Sequence, residues 1–156
     1  MQVEVEIQYA TASVKTPDED QFRVWAEAAL PAGPGKRLLT IRIVDEEEAQ
    51  RFNRDYRHKD YATNVLSFPS ELPEDLPEDL RNTLLGDLLI CAPVVAREAG
   101  ERCRSATDHW AHLTIHGVLH LMGYDHEQSG EAQIMESLEV EILARLGISD
   151  PYHDGA

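Results

Sequence analysis

His116-Gly117-Val118-Leu119-His120-Leu121-Met122-Gly123-Tyr124-Asp125-His126 places three histidines at relative positions 0, 4 and 10, with a glycine at 7. On a helix the first two stand one turn apart and project from the same face. A helix that ran on would carry His126 about 9 Å further along the axis and onto another face. Gly123 offers the exit, because glycine takes the left-handed conformation that ends a helix and reverses the chain. The turn brings His126 back beneath the other two imidazoles. Three neutral imidazoles with a fourth position open form the ligand set of a catalytic zinc site. The plainer alternative is a buried helix whose histidines are merely hydrogen-bonded.

Working outward, Thr107 caps this helix, and Pro93 opens the helix before it, which runs to about Arg104. Leu84–Cys91 reads as a strand interrupted by Gly86-Asp87. Downstream, Ser129 caps a last helix with Ile134, Leu138, Ile142, Leu143 and Leu146 at helical spacing before Gly147. Towards the N-terminus, residues 2–9 alternate apolar and polar as a half-buried strand. Thr16-Pro17-Asp18-Glu19 has the form of a capping box with proline at the first helical position. The helix it opens carries Phe22, Val24, Trp25, Ala28, Ala29 and Leu30 and stops at Pro31. Leu38–Val44 is a second strand, Asp45 with Glu48 caps a second helix to Asn53 or beyond, and Asn64–Phe68 is a strand closed by Pro69. Residues 70–81 contain the short duplication Leu-Pro-Glu-Asp-Leu-Pro-Glu-Asp-Leu and read as an exposed acidic loop. No linker divides the chain. The expectation is a single α+β (α/β-like) domain over residues 1–156, with a four-stranded mixed sheet, about five helices, and the metal site on a helix-turn.

With 156 residues the chain can bury a core without disulfides. Its net charge of −15 argues against indiscriminate binding to nucleic acid or anionic membrane. The N-terminus lacks the basic and apolar regions of a signal peptide, and no apolar run is long enough to span a membrane. Only Cys91 and Cys103 are present, more readily small core residues than ligands, and a cytoplasmic protein with two reduced thiols follows.

The helix spacing matches the metzincin protease pattern, but the position of that pattern's glutamate is Gly117. Glycine can neither take nor give a proton, so the ligand geometry survives without the peptidase's general base. A three-histidine metal can still lower the pKa of bound water and polarise a phosphoryl oxygen. Phosphoryl chemistry wants a cation beside the metal. Arg51-Phe52-Asn53-Arg54-Asp55-Tyr56-Arg57-His58-Lys59 supplies four Arg and Lys residues against one acid, a local reversal in an acidic chain. A solvated helix face would explain it; beside a metal site and the strand beginning at Asn64, so would a phosphate-holding edge. His112 precedes His116 by one turn and suits a supporting or cleft-lining role, and Asp125 could orient a ligand imidazole or stabilise the turn.

The eleven-residue stretch resembles the signature of the YbeY family of bacterial rRNA maturation factors. The resemblance extends to Asn53-Arg54-Asp55-Tyr56-Arg57-His58-Lys59-Asp60 and Thr63-Asn64-Val65-Leu66-Ser67-Phe68-Pro69, to Leu85-Gly86-Asp87-Leu88-Leu89-Ile90, and to Met135-Glu136-Ser137-Leu138-Glu139 with Asp150-Pro151-Tyr152. It implies a single-strand-specific, metal-dependent endoribonuclease that processes ribosomal RNA, notably the 3′ end of the small-subunit RNA, and serves ribosome quality control. It further implies one zinc ion, or another divalent metal, on His116, His120 and His126, and Arg57 as the arginine needed for cleavage. Lys59, Asn64, His112 and Asp125 are the expected substrate-binding or supporting residues. The implied partners are single-stranded ribosomal RNA and the small ribosomal subunit with its assembly factors; an acidic protein would meet RNA through a local basic cleft or a ribosomal partner. The competing classes are a metzincin-like metalloprotease and a non-catalytic, zinc-stabilised ribosome-assembly factor.

Overall fold

Val3 and Val5 turn the same way from an extended chain and seed β1 (Gln2–Ala10), the first strand of the computed structural model, which describes residues 1–70, 72–81, 83–125 and 128–152. Beside it lies β2 (Lys36–Val44), followed in space by β4 (Leu84–Cys91) and then β3 (Val65–Pro69). β1, β2 and β4 run parallel, and β3 pairs antiparallel with β4 at the edge. The helices are α1 (Glu19–Ala29), α2 (Glu46–Arg57), α3 (Glu78–Arg81), α4 (Ala92–Glu101), α5 (Ala106–Leu121) and α6 (Ser129–Arg145). The α+β class and the mixed four-stranded sheet are as the sequence implies. The helices described number six rather than about five, because one turn of the acidic segment, Glu78–Arg81, is helical.

The sheet divides two cores. Leu88 and Ile90 of β4 face one, with Val3, Val5 and Ile41, where they meet Phe22 and Trp25 of α1, Trp110, Ile115 and Leu119 of α5, and Met135 and Leu143 of α6. The intervening Leu89 and Cys91 face the other, with Leu66, Ala49 of α2 and Val94. This strict alternation is what a strand buried on both sides requires. Since α5 and α2 lie on opposite faces, their ends can share a site only around the β3 edge. The segment 58–64 makes that passage. It is launched by His58, whose left-handed φ of 58° ends α2, and its Lys59 amide donates back to the Asn53 carbonyl at 3.3 Å.

Several local expectations are corrected. The N-cap of α1 is Asp18, not Thr16: its side chain accepts from the Gln21 amide at 2.8 Å, and Gln21 accepts from the Asp18 amide at 3.0 Å. Val24 stays 47% exposed, and Ala26 is buried instead. Asp45 does occupy the N-cap of α2 but makes no capping bond, because its carboxylate accepts from Thr11 and from the Ala12 amide, while Glu48 pairs with Arg42. α4 ends at Glu101 rather than Arg104, and Ser105, not Thr107, caps α5 by accepting from the Asp108 amide at 3.0 Å. Gln128, not Ser129, holds the N-cap of α6. In α6, Ile134 is exposed and Met135 takes its place in the core. Both cysteines are free, but only Cys91 is a core residue; Cys103 is exposed.

Two glycines set how closely the motif helix approaches the sheet. A Cβ on Gly86 would lie 2.7 Å from the Phe68 carbonyl oxygen and 2.8 Å from a Leu121 methyl, and its φ of +142° already disfavours any side chain. A Cβ on Gly117 would lie 2.7 Å from a Leu88 methyl. The obstacle at Gly86 is backbone, which cannot move without breaking the β3–β4 pairing. Gly86→Ala is therefore expected to lower stability by about 2–4 kcal/mol, read as a reduced urea midpoint at unchanged slope.

Candidate active site

His109, His112, His116 and His120 run down one stripe of α5, separated by three, four and four residues. His109 and His112 are buried, whereas His116 and His120 come to the surface at the helix's last turns. Their ring nitrogens converge: Nε2 of His120 lies 3.1 Å from Nε2 of His116. Nδ1–H of His116 donates to Oε1 of Glu139, a carboxylate on α6 with no exposed surface. That bond fixes the tautomer, so the Nε2 of His116 presents a lone pair towards the cleft.

Glu139 is the hub of the site. Its Oε2 accepts from the Tyr152 hydroxyl, and Nε2 of His112 lies 3.4 Å from the same oxygen and 3.2 Å from the hydroxyl. Burial alone would push its pKa up; the hydrogen bonds from His112, His116 and Tyr152 outweigh burial and hold it at about 2. Burial also drives His112 below the usual imidazole range, which its bond to Glu139 only partly offsets, so His112 is neutral near pH 7. The Tyr152 phenol is pushed up, first by burial and then by Glu139. Behind this hub lies a second network, in which Nε2 of His109 sits 2.9 Å from Glu98 Oε1 and Asn64 Nδ2 donates to the same oxygen at 3.0 Å.

A cleft of about 550 Å³ opens at the β3 edge, lined by Arg57, Lys59, Asn64, Ser67, His116, His120 and Asp125 together with the aromatic residues Tyr56, Tyr61 and Phe68. Six residues singled out in the sequence therefore line one cleft: Arg57, Lys59, Asn64, His116, His120 and Asp125. His112 does not reach it and supports Glu139 from behind. Part of Asn64 is committed to Glu98 and to the Val65 amide. His126 lies outside the described residues. A larger cleft of about 880 Å³ is lined by Glu4, Glu6, Glu19 and Asp87 and offers an anion only repulsion.

Glu139 and Tyr152 enter the sequence reading only as members of resembling blocks, with no role in the site assigned to them. The available signal was an acid inside an apolar stripe, since Met135, Glu139, Ile142 and Leu143 fall on one helix face.

The donor set fits a cation. His112, His116 and Glu139 keep their donor atoms within 4.8 Å of one another, but these atoms are engaged with each other, as a carboxylate–histidine support requires. The Nε2 atoms of His116 and His120 are 3.1 Å apart. Two nitrogens on one tetrahedral zinc at the usual bond length stand about 3.3 Å apart. Position 117 answers the protease question as well. Gly117 packs against the sheet, its carbonyl accepting from Ser67 Oγ at 3.1 Å and the place of a Cβ lying 2.7 Å from a Leu88 methyl, so the protease's glutamate has no room here unless Leu88 is displaced.

Fold and site together define an α+β protein with a histidine centre set in a basic cleft, the class of a phosphate-directed hydrolase rather than a peptidase. The family model described as endoribonuclease YbeY matches residues 6–147. Proteins named endoribonuclease YbeY from Stenotrophomonas maltophilia and Alkalilimnicola ehrlichii are each 56% identical to the chain, over 97% and 96% of it and over 94% and 91% of their own lengths. A solution structure of a Thermotoga maritima protein, at 21% identity, shares the fold with a TM-score of 0.50 over 95% of this chain and 99% of that one. The chain belongs to the YbeY endoribonuclease family.

Two substitutions probe this construction. Tyr152→Phe removes a donor from a buried carboxylate and should lower stability by about 1–2 kcal/mol in urea unfolding. Gly117→Glu restores the metzincin pattern on paper, yet it should yield no peptidase activity against a casein substrate and should lower the melting temperature, because the new side chain is driven into Leu88.

Proposed function

We propose that the protein is a metal-dependent endoribonuclease that cuts single-stranded RNA, acting in the cytoplasm on ribosomal RNA, notably the 3′ end of the small-subunit RNA, and in ribosome quality control. The observation that carries this reading is the cleft that Arg57 and the converging His116–His120 pair line together. His116, His120 and His126 would hold one divalent ion, with zinc favoured by an all-nitrogen set. Such an ion, when bound, supplies Lewis acidity at a phosphoryl oxygen and lowers the pKa of a water bound to it.

The protein's own residues do the rest. Glu139, charged and buried, holds the His116 ring in the tautomer whose Nε2 carries no proton. Arg57 ends α2 at the cleft, where its planar guanidinium can meet two phosphoryl oxygens at once and offset the charge that builds on them. Lys59 adds a second cation two residues on, suited to a neighbouring phosphate. Asn64 and Asp125 shape the walls. The small ribosomal subunit and its assembly factors are the partners that would present the RNA to a protein of net charge −15.

Metal content and cleavage of single-stranded RNA, measured on wild type, Arg57→Ala and His120→Ala purified in parallel, test the reading. Arg57→Ala should keep its circular dichroism spectrum and its metal while cutting about 100-fold more slowly or worse. His120→Ala should stay folded and lose both metal and cleavage. An Arg57→Ala protein that cuts at the wild-type rate sinks the role given to Arg57. A wild type that cuts no RNA, with a His120→Ala variant that unfolds, would mark a zinc-stabilised assembly factor instead. The product ends identify the nucleophile, since a 2′,3′-cyclic phosphate marks the RNA's own 2′-hydroxyl.

A further inference from the structure

The chemistry of the cleft leaves its aromatic residues without a task. Tyr56 and Tyr61 line it and are 64% and 54% exposed, unusual for large rings at the mouth of a site. Two other tyrosines are engaged through their hydroxyls: that of Tyr9 donates to the Pro17 carbonyl, and that of Tyr152 to Glu139. Tyr56 is exposed but not loose. Its ring stacks on Phe52 at 5.7 Å with an interplanar angle of 10°, and its neighbour Phe68 meets it edge-on at 5.3 Å. Tyr61 is fixed through its backbone, because fully buried Asn53 donates from Nδ2 to the Tyr61 carbonyl at 2.9 Å. Arg57 and Lys59 lie between the two rings in the chain and line the same cleft.

We propose that Tyr56 and Tyr61 are a base-stacking platform, on which a single-stranded RNA lays unpaired bases while Arg57 and Lys59 hold the phosphates between them. The inference rests on the endoribonuclease reading and adds to it the way the site grips its substrate. Aromatic faces interleaved with cations are the chemistry that retains single strands without reading sequence. A duplex keeps its base faces covered by their neighbours and has nothing to offer such rings. The Tyr56 ring, already ordered by Phe52 and Phe68, loses little freedom on binding, so most of its stacking energy is available for affinity. The surrounding acidity, a net charge of −15, means the cleft cannot rely on long-range attraction and needs a short-range, uncharged contribution.

The test is binding of a short, labelled single-stranded RNA of mixed sequence to the full chain in EDTA, followed across a salt series, alongside cleavage by the metal-loaded protein. Tyr56→Ala and Tyr61→Ala should each weaken binding about 5- to 100-fold, with Phe variants within about twofold of wild type. The slope of log K against log salt should be unchanged in the tyrosine variants and reduced by about 1 in Lys59→Ala. Replacing the bases with abasic sites should weaken binding to wild type but not to the Tyr56→Ala, Tyr61→Ala double variant. If the alanine variants bind like wild type while the metal-loaded wild type still cuts RNA, the platform is wrong and the nuclease stands. If Phe variants fail as badly as Ala, the hydroxyls and not the faces are at work, and the platform is again wrong. If wild type neither binds nor cuts, both readings fall together.

Discussion

The missing side chain at position 117 governs the distance between α5 and the sheet, and the rest of the site is arranged about that distance. Leu88 fills the space a Cβ would need, and Ser67 on the edge strand reaches the Gly117 carbonyl. Residues 116 and 120 lie on the adjoining stripe of the same two turns, where both line the cleft at the edge of β3. Because the segment 58–64 passes round that edge, a helix set further from the sheet would lift the imidazoles away from Arg57 and Lys59. One close helix–sheet contact thus fixes the relation between two groups contributed from opposite faces of the sheet. Interiors are dense enough to transmit such a constraint without slack.

The second constraint is electrostatic. A carboxylate with no exposed surface is costly to bury, and the neighbours that satisfy it do not turn it into a source of stability comparable with apolar packing. Glu139 is better understood as a positional device. It orients His116 through one oxygen and is itself held through the other by Tyr152 of the C-terminal segment, with His112 close by. That segment is tethered independently, since the Arg104 guanidinium donates to the carbonyls of Ser149 and Asp150. The orientation of a surface imidazole is therefore set by four elements of the chain, which explains how a histidine at a frayable helix end can keep one tautomer and one direction.

Strands and helix types were legible because period-2 and period-3.6 patterns survive burial on either side. The converging pair His116 and His120, and the local cations Arg57 and Lys59, were legible because spacing and charge reversal are properties of short segments. What escaped was decided over long range. Thr16-x-x-Glu19 and Asp18-x-x-Gln21 are both acceptable capping patterns, and only the second forms. Asp45 looked like a cap, but Thr11 and the Ala12 amide, far away in sequence, took its carboxylate. Glu139 sits among Glu131, Glu136 and Glu141; only its place on the face of Met135, Ile142 and Leu143 distinguishes it. Of the apolar stripe Ile134, Leu138, Ile142, Leu143 and Leu146, only Ile134 faces away from the core, and Met135 and Glu139 complete the buried face.

The acidity of the chain and its reading as an RNA enzyme are compatible once charge is considered by place. Salt confines the field of exposed carboxylates to about 8–10 Å at physiological ionic strength, so the cleft at the β3 edge feels chiefly its own residues, Arg57 and Lys59 against Asp125. Elsewhere, as in the cleft lined by Glu4, Glu6, Glu19 and Asp87, the surface repels phosphate. A long, rigid duplex brought to the basic cleft would carry its further phosphates over acidic ground, whereas a flexible single strand can enter and turn away. Net negative charge outside the cleft weakens non-specific adhesion, which is almost wholly electrostatic, so the proposed grip on RNA falls to short-range contacts in the cleft.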